Sequence, residues 1–159
     1  MRHGEIRVKT EVKYRELYRA MKEHGAITDS HELFFVCACL GFSRGKREPL
    51  ERADDRFWSH TISATEWSCS YAMMMQLSNF DLSVLVDDTA MVSVIQEYAN
   101  AGMELLIEGF LGNYIFRSSG DVSFQLDPNC AKTLPKDFLY YILKQSGAVN
   151  WNTGREKYS

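Results

Sequence analysis

Ser30-His-Glu-Leu-Phe-Phe-Val-Cys-Ala-Cys-Leu-Gly-Phe-Ser-Arg-Gly-Lys-Arg-Glu-Pro-Leu50 sets an unbroken apolar run, Leu33 to Leu40, against Gly41, a basic cluster (Arg44, Lys46, Arg47) and Pro49. Periodicity does not separate a buried helix from a buried strand in such a run. The flanks do. Asp29 or Ser30 can cap a helix start, Glu32 stands three residues after Asp29 as in a capping box, and Gly41 suits a stop. The stretch therefore reads as a helix buried all round that surfaces into a short cationic loop. Eight apolar residues are far too few to span a membrane.

Before this helix, residues 5–10 alternate polar and apolar, which suits a short strand or extended arm. Thr10 can cap a helix to about Glu23, with Val12, Tyr14, Leu17, Tyr18 and Met21 as its apolar stripe. This strand–helix–helix order is similar to ribbon-helix-helix modules, in which a paired strand reads the major groove. After the loop, residues 44–57 read as a mixed-charge connection, and Phe57 and Trp58 as an apolar return onto the core.

Ser63-Ala-Thr-Glu66 is a capping box opening a helix that ends near Ser78-Asn79. Met73-Met74-Met75 within it suits core filling better than a partner groove. Asp81 to Val86 is a short apolar element, and Asp87-Asp88-Thr89 caps the longest helix, Ala90 to about Leu111. Gly102 inside that helix marks either a close helix contact or a break. Tyr114–Arg117 and Val122–Leu126 flank Ser118-Ser-Gly-Asp121 as a β-hairpin, and Pro135 fronts a last helix, Lys136 to Gln145. The expected fold is α+β and predominantly helical: a buried central helix packed by three or four others, a short N-terminal strand and a C-terminal β-hairpin. Residues 1–148 are expected to form one globular domain and residues 149–159 a polar tail.

The 159 residues carry a net charge of −3, so no global basic field draws the chain to nucleic acid. The distribution is uneven. Residues 57–116 hold seven acids and no Lys or Arg, whereas residues 1–56 hold twelve Lys and Arg against ten acids. A nucleic-acid face is therefore expected on the N-terminal third or the C-terminal tail. Cys37, Cys39, Cys69 and Cys130 follow no signal peptide and form no CxxC, so structural thiols in a reducing cytoplasm are expected. His3, His24, His31 and His60 do not fall at ligand spacing.

No motif identifies a reaction. Gly41-Phe-Ser43-Arg-Gly45 matches G-x-S-x-G, but a nucleophile elbow needs a strand before it and a helix after it. Glu11-Val-Lys13 imitates half of a metal-dependent nuclease site, and Asp87-Asp88 could hold Mg²⁺. An ion pair and helix capping explain them more simply. What remains is Ser43, Arg44, Lys46 and Arg47, with the backbone N–H groups of Gly41 and Gly45, as an anion cradle. Ion pairs from these cations to Glu48 and Glu51 are the competing reading.

Through His31 to Leu50, at Phe80-Asp-Leu-Ser-Val-Leu85 and at Glu97-Tyr-Ala-Asn-Ala-Gly-Met-Glu-Leu-Leu106, the chain resembles the DNA phosphorothioation-associated protein 4 family. The likeness covers roughly residues 5–111, and the C-terminal hairpin and helix look like an addition. The resemblance implies a bacterial, non-enzymatic accessory subunit of a sulfur-based DNA modification and restriction system that defends against phage. It implies larger proteins of that system as partners, with DNA-backbone contact through the cationic loop. It implies no catalytic residue, metal or cofactor. The alternative is a small dimeric regulator reading DNA with the strand Ile6–Lys9. A membrane is not expected as a partner, and self-association stays open.

Overall fold

The computed structural model describes residues 6–117, 124–129 and 131–147. His3, Glu5, the expected hairpin turn Ser118-Ser-Gly-Asp121 with Val122 and Ser123 of the strand after it, Cys130 and the expected tail 149–159 lie outside the described residues.

The opening stretch is helical, α2 (Ser30–Ser43), and buries Leu33, Phe34, Cys37, Ala38, Leu40 and Gly41. It lies against α4 (Asp88–Gly109), the longest helix. Two glycines set how close they come. A Cβ on Gly41 would fall 2.1 Å from the Tyr98 carbonyl oxygen, and one on Gly102 would fall 1.6 Å from that of Cys37. Residues 37 and 41 of α2 thus face 102 and 98 of α4, so the helices run antiparallel with backbones in contact. Gly102 is a close-contact glycine within an unbroken helix. Gly41, expected to stop α2, instead lies inside it. The helix continues two residues further because Phe42 still has an apolar neighbour, the Tyr98 ring 5.5 Å away.

The N-terminal strand is β1 (Arg7–Glu11), and its partner is a strand that the sequence concealed, β2 (Ala53–Trp58). They pair antiparallel, Arg7 opposite Trp58 and Thr10 opposite Asp54, with an irregularity between Val8 and Lys9. Ala-Asp-Asp-Arg has little β propensity. Opposite charge supplies what is missing: Asp54 takes Arg15 (2.8 Å) and Arg56 (3.0 Å), and Asp55 takes Arg7 (3.7 Å). Phe57 enters the core as expected, but Trp58 stays exposed under the Arg7 guanidinium, 4.0 Å from its ring centroid. On β1's other edge the Lys9 N–H donates to Gln96 Oε1 of α4 at 2.8 Å. One N–H of that edge is therefore taken within the chain, and the strand of the regulator reading is paired with β2 of its own chain.

Thr10 does not cap a helix, since its hydroxyl accepts from Arg56 Nε at 2.9 Å. The chain passes through a short 3₁₀ turn, Val12–Tyr14, into α1 (Arg15–Glu23), which buries Leu17, Tyr18 and Met21. The box expected at Asp29 does not form: Asp29 makes no side-chain cap bond, and Glu32 accepts the Thr28 N–H at 2.8 Å instead. The second box forms as read. Ser63 Oγ accepts the Glu66 N–H (3.2 Å) and Glu66 Oε2 accepts the Ser63 N–H (2.8 Å), opening α3 (Ala64–Leu77). Met73 is buried there, as core filling requires. The apolar element after α3 is a 3₁₀ turn, Leu82–Leu85, and Asp87 caps α4 by accepting the Ala90 N–H at 3.0 Å.

The C-terminal part is β3 (Ile115–Arg117) paired antiparallel with β4 (Phe124–Leu126), then α5 (Leu134–Gln145). Its Phe124, Leu126, Leu134 and Phe138 belong to the same apolar cluster as Val8, Leu17, Leu33 and Leu106. Phe124 stacks on Tyr14 at 5.6 Å, and Phe110 at the end of α4 meets Phe138 and Tyr141.

Candidate functional site

The α2 C-terminus turns through a Schellman motif. Gly45, at φ +62°, sits in the left-handed region that glycine tolerates. Its N–H donates to the Phe42 carbonyl (3.0 Å), the Lys46 N–H to that of Gly41 (2.8 Å) and the Arg44 N–H to that of Leu40 (3.1 Å). Three amides expected in an anion cradle or beside it are therefore spent on the helix end. The Gly41 backbone is buried against Tyr98. The Ser43 hydroxyl also turns inward, donating to the Leu40 carbonyl at 3.0 Å. This placement at a helix end also removes the strand–turn–helix geometry of a nucleophile elbow.

The side chains divide in two. Arg47 pairs with Glu97 of α4, and its guanidinium lies 5.8 Å from the Tyr98 ring centroid. The hydrogen bond it donates to the Glu97 carboxylate holds that guanidinium above its ordinary pKa. The partner is neither Glu48 nor Glu51 but an acid 50 residues away, which spacing cannot reveal. Arg44 and Lys46 are exposed and have no ion pair among the described residues. Most other cations of the N-terminal third are paired: Lys13 with Glu104, Arg15 and Arg56 with Asp54, Arg19 with Glu16, Lys22 with Asp29.

The loop is held by α4. The Glu48 N–H donates to the Glu97 carbonyl (3.1 Å), and Asn100 Nδ2 donates to the carbonyls of Glu48 and Pro49 (both 3.2 Å). A groove separates residues 45–48 from Ala101, Glu104, Leu105 and Glu108. Arg44 borders a second hollow with Leu40, Glu108, Tyr141 and Gln145. Burial pushes the Tyr141 hydroxyl pKa up, and the Arg44 charge pulls it part of the way back. Two solvated cations thus stand on a fixed turn, with the carboxylates of α4 beneath them.

The nuclease-like residues are occupied otherwise. Glu11 accepts the backbone N–H groups of Glu51 and Arg52, and Lys13 pairs with Glu104 at 3.6 Å. Asp88 Oδ1 accepts from the Tyr71 hydroxyl at 3.5 Å. No group of three His, Cys, Asp or Glu residues is placed to hold a metal ion among the described residues.

Sequence reasoning missed one polar pair. His31 Nδ1 lies 2.9 and 3.0 Å from the two Glu66 carboxylate oxygens, in a mostly buried position beside Phe34, Trp67 and Ile95. Glu66 serves its own helix cap and binds the first turn of α2 at once, so the pair ties α3 to α2. The capping box was visible in the sequence; the His31 contact, 35 residues away, was not.

These features define a small, mostly helical α+β protein whose polar groups largely serve its own structure and which presents a fixed cationic turn. The family model described as DNA sulphur modification system-associated protein 4 matches residues 7–119, and the chain belongs to that family. Association with a DNA sulphur modification system follows from the membership. No curated protein and no solved structure matches the chain. No described helix is long and apolar enough to cross a membrane.

Proposed function

We propose that this protein is a non-enzymatic accessory subunit of the DNA sulphur modification system, acting by contact with larger proteins of that system and with the DNA backbone. The family membership supports the accessory role. The observation that carries the backbone contact is the exposure of Arg44 and Lys46, without ion-pair partners among the described residues, on a turn fixed by Gly45, Glu97 and Asn100. Phosphates and phosphorothioates are anions, and solvated Arg and Lys side chains on a rigid turn meet them without a backbone ordering cost. Of the four residues singled out by sequence, these two are the primary contacts. Ser43 and Arg47 join only by giving up Leu40 and Glu97.

Binding by the isolated protein is then weak and strongly salt-dependent, because each neutralised phosphate contributes about −0.9 to the slope of log K against log salt. Fluorescence anisotropy with duplex DNA across a salt series tests this. Arg44→Ala with Lys46→Ala should reduce both affinity and slope while the melting temperature stays near that of the parent. An unchanged slope rejects the backbone contact. Co-purification with the system's larger proteins tests the accessory role, and their consistent absence from the eluate rejects it.

A further inference from the structure

Phe80, Leu82 and Val86 are 75%, 69% and 78% exposed, an apolar projection between α3 and α4. Its backbone is strained. Asn79 (φ +54°) is an ordinary left-handed helix end, but Phe80 follows it at φ +65°, a conformation that aromatic residues rarely adopt. The turn is fastened by the Phe80 N–H to the Met75 carbonyl (2.7 Å) and the Ser83 N–H to Asp81 Oδ1 (2.9 Å). The fold thus holds an aromatic ring out in water at an energetic cost. Asp81, Asp87 and Asp88 lie within or next to the Phe80–Val86 segment in sequence, in the span that contains no Lys or Arg.

A second apolar face is on α5. Its inner side packs on Phe110, while Lys136, Leu139, Tyr140, Leu143 and Lys144 share the outer side at helical spacing. Leu139 is 57% exposed and Tyr140 48%. Here the apolar centre has a basic rim. The projection adjoins the first turn of α4 and α5 packs on its last. A helix of 22 residues rises about 1.5 Å per residue, so the two surfaces lie roughly 30 Å apart and cannot meet in one chain.

We propose that the acid-rimmed Phe80–Val86 projection of one molecule docks on the lysine-rimmed outer face of α5 in a second copy. Apolar centres of this exposure mark interaction sites, and the opposite rims select this pairing over projection against projection. The contact joins unlike surfaces, so it propagates head to tail into a ring or an open chain. It assigns a role to the C-terminal segment beyond residue 119, which the family match does not reach. It does not depend on the DNA-backbone reading.

Light scattering of size-separated full-length protein over a concentration series tests the proposal. The parent should show a mass that rises with concentration and falls back with salt. Phe80→Ser with Val86→Ser, and separately Lys136→Glu with Leu139→Ser, should each remain monomeric. An equimolar mixture of the two variants should form a dimer and grow no further, since each supplies the one intact surface the other lacks. That complementation also shows that both variants are folded. A monomeric parent at every concentration overturns the proposal, as does a mixture that stays monomeric. Assembly that survives the α5 substitutions but not the projection substitutions also overturns it, by showing projection against projection. So does a projection occupied only when a different protein is added.

Discussion

Gly102 has no room for a side chain: a Cβ would sit 1.6 Å from the Cys37 carbonyl oxygen, and that oxygen belongs to backbone that cannot swing aside. Gly102→Ala must therefore force α2 and α4 apart. Overpacking of this kind costs about 1–3 kcal/mol or more, to be read as a lower urea midpoint. Alanine's better helix propensity offsets at most about 1 kcal/mol. Tyr14 is the opposite case. Its hydroxyl is buried with no hydrogen-bond partner among the described residues, and burial raises its pKa. A buried orphan polar atom costs roughly 1–3 kcal/mol, so Tyr14→Phe should raise the midpoint. A lower midpoint would show that the hydroxyl is satisfied in solution.

At the scale of the element, the β1–β2 ribbon is held by charge as much as by apolar packing. The Asp54 carboxyl is kept below its usual pKa, first by the hydrogen bond from Arg15 and then by the Arg56 charge. A carboxyl with a lowered folded-state pKa stabilises fully above the unfolded value, about 3.9. That contribution is lost as the pH falls through the folded value, because the unfolded chain takes up the proton first. Asp54→Asn should therefore reduce stability at neutral pH and flatten the acid limb of the stability–pH curve below about pH 4. An acid limb identical to the parent's would place the ribbon's stability elsewhere. The same ribbon pairs the strand that the regulator reading assigned to a second copy with a strand of its own chain. β2 takes one side, and Gln96 of α4 takes the Lys9 N–H on the other.

Across the whole molecule, the C-terminal segment that looked like an addition is part of the core. Phe124 stacks on Tyr14 of the N-terminal region, and Leu134 and Phe138 are buried in the common cluster. A chain ending at residue 113 should therefore melt at a lower temperature and less cooperatively than the full protein, although it keeps almost all of the span the family model matches. A sharp transition at the parent's temperature would show that the segment is a separate appendage. If copies join head to tail, several cationic turns reach one duplex. Weak single contacts then add by effective concentration.

Local physics made much of this legible in the sequence. The apolar run Leu33–Leu40 marked the central helix, although Phe35, Val36 and Cys39 end up half-buried rather than enclosed on all sides. Ser63 and Glu66 cap a helix wherever they occur at that spacing, and Pro135 suits the first turn of one. Each of these depends on neighbours within a helical turn or two. What the chain kept hidden depends on residues far apart. Asp54 and Asp55 sit in a strand because Arg15 of α1 and Arg7 of β1 reach their carboxylates, and Glu66 holds His31 across two helices. Arg47 is withdrawn from the cationic loop by Glu97. Gly45 was read as offering its N–H to an anion, but the fold decided that its turn consumes the amides an anion would need. Short-range preferences are written residue by residue. Which distant charge is paired, and which is left in water, is decided only when the helices pack.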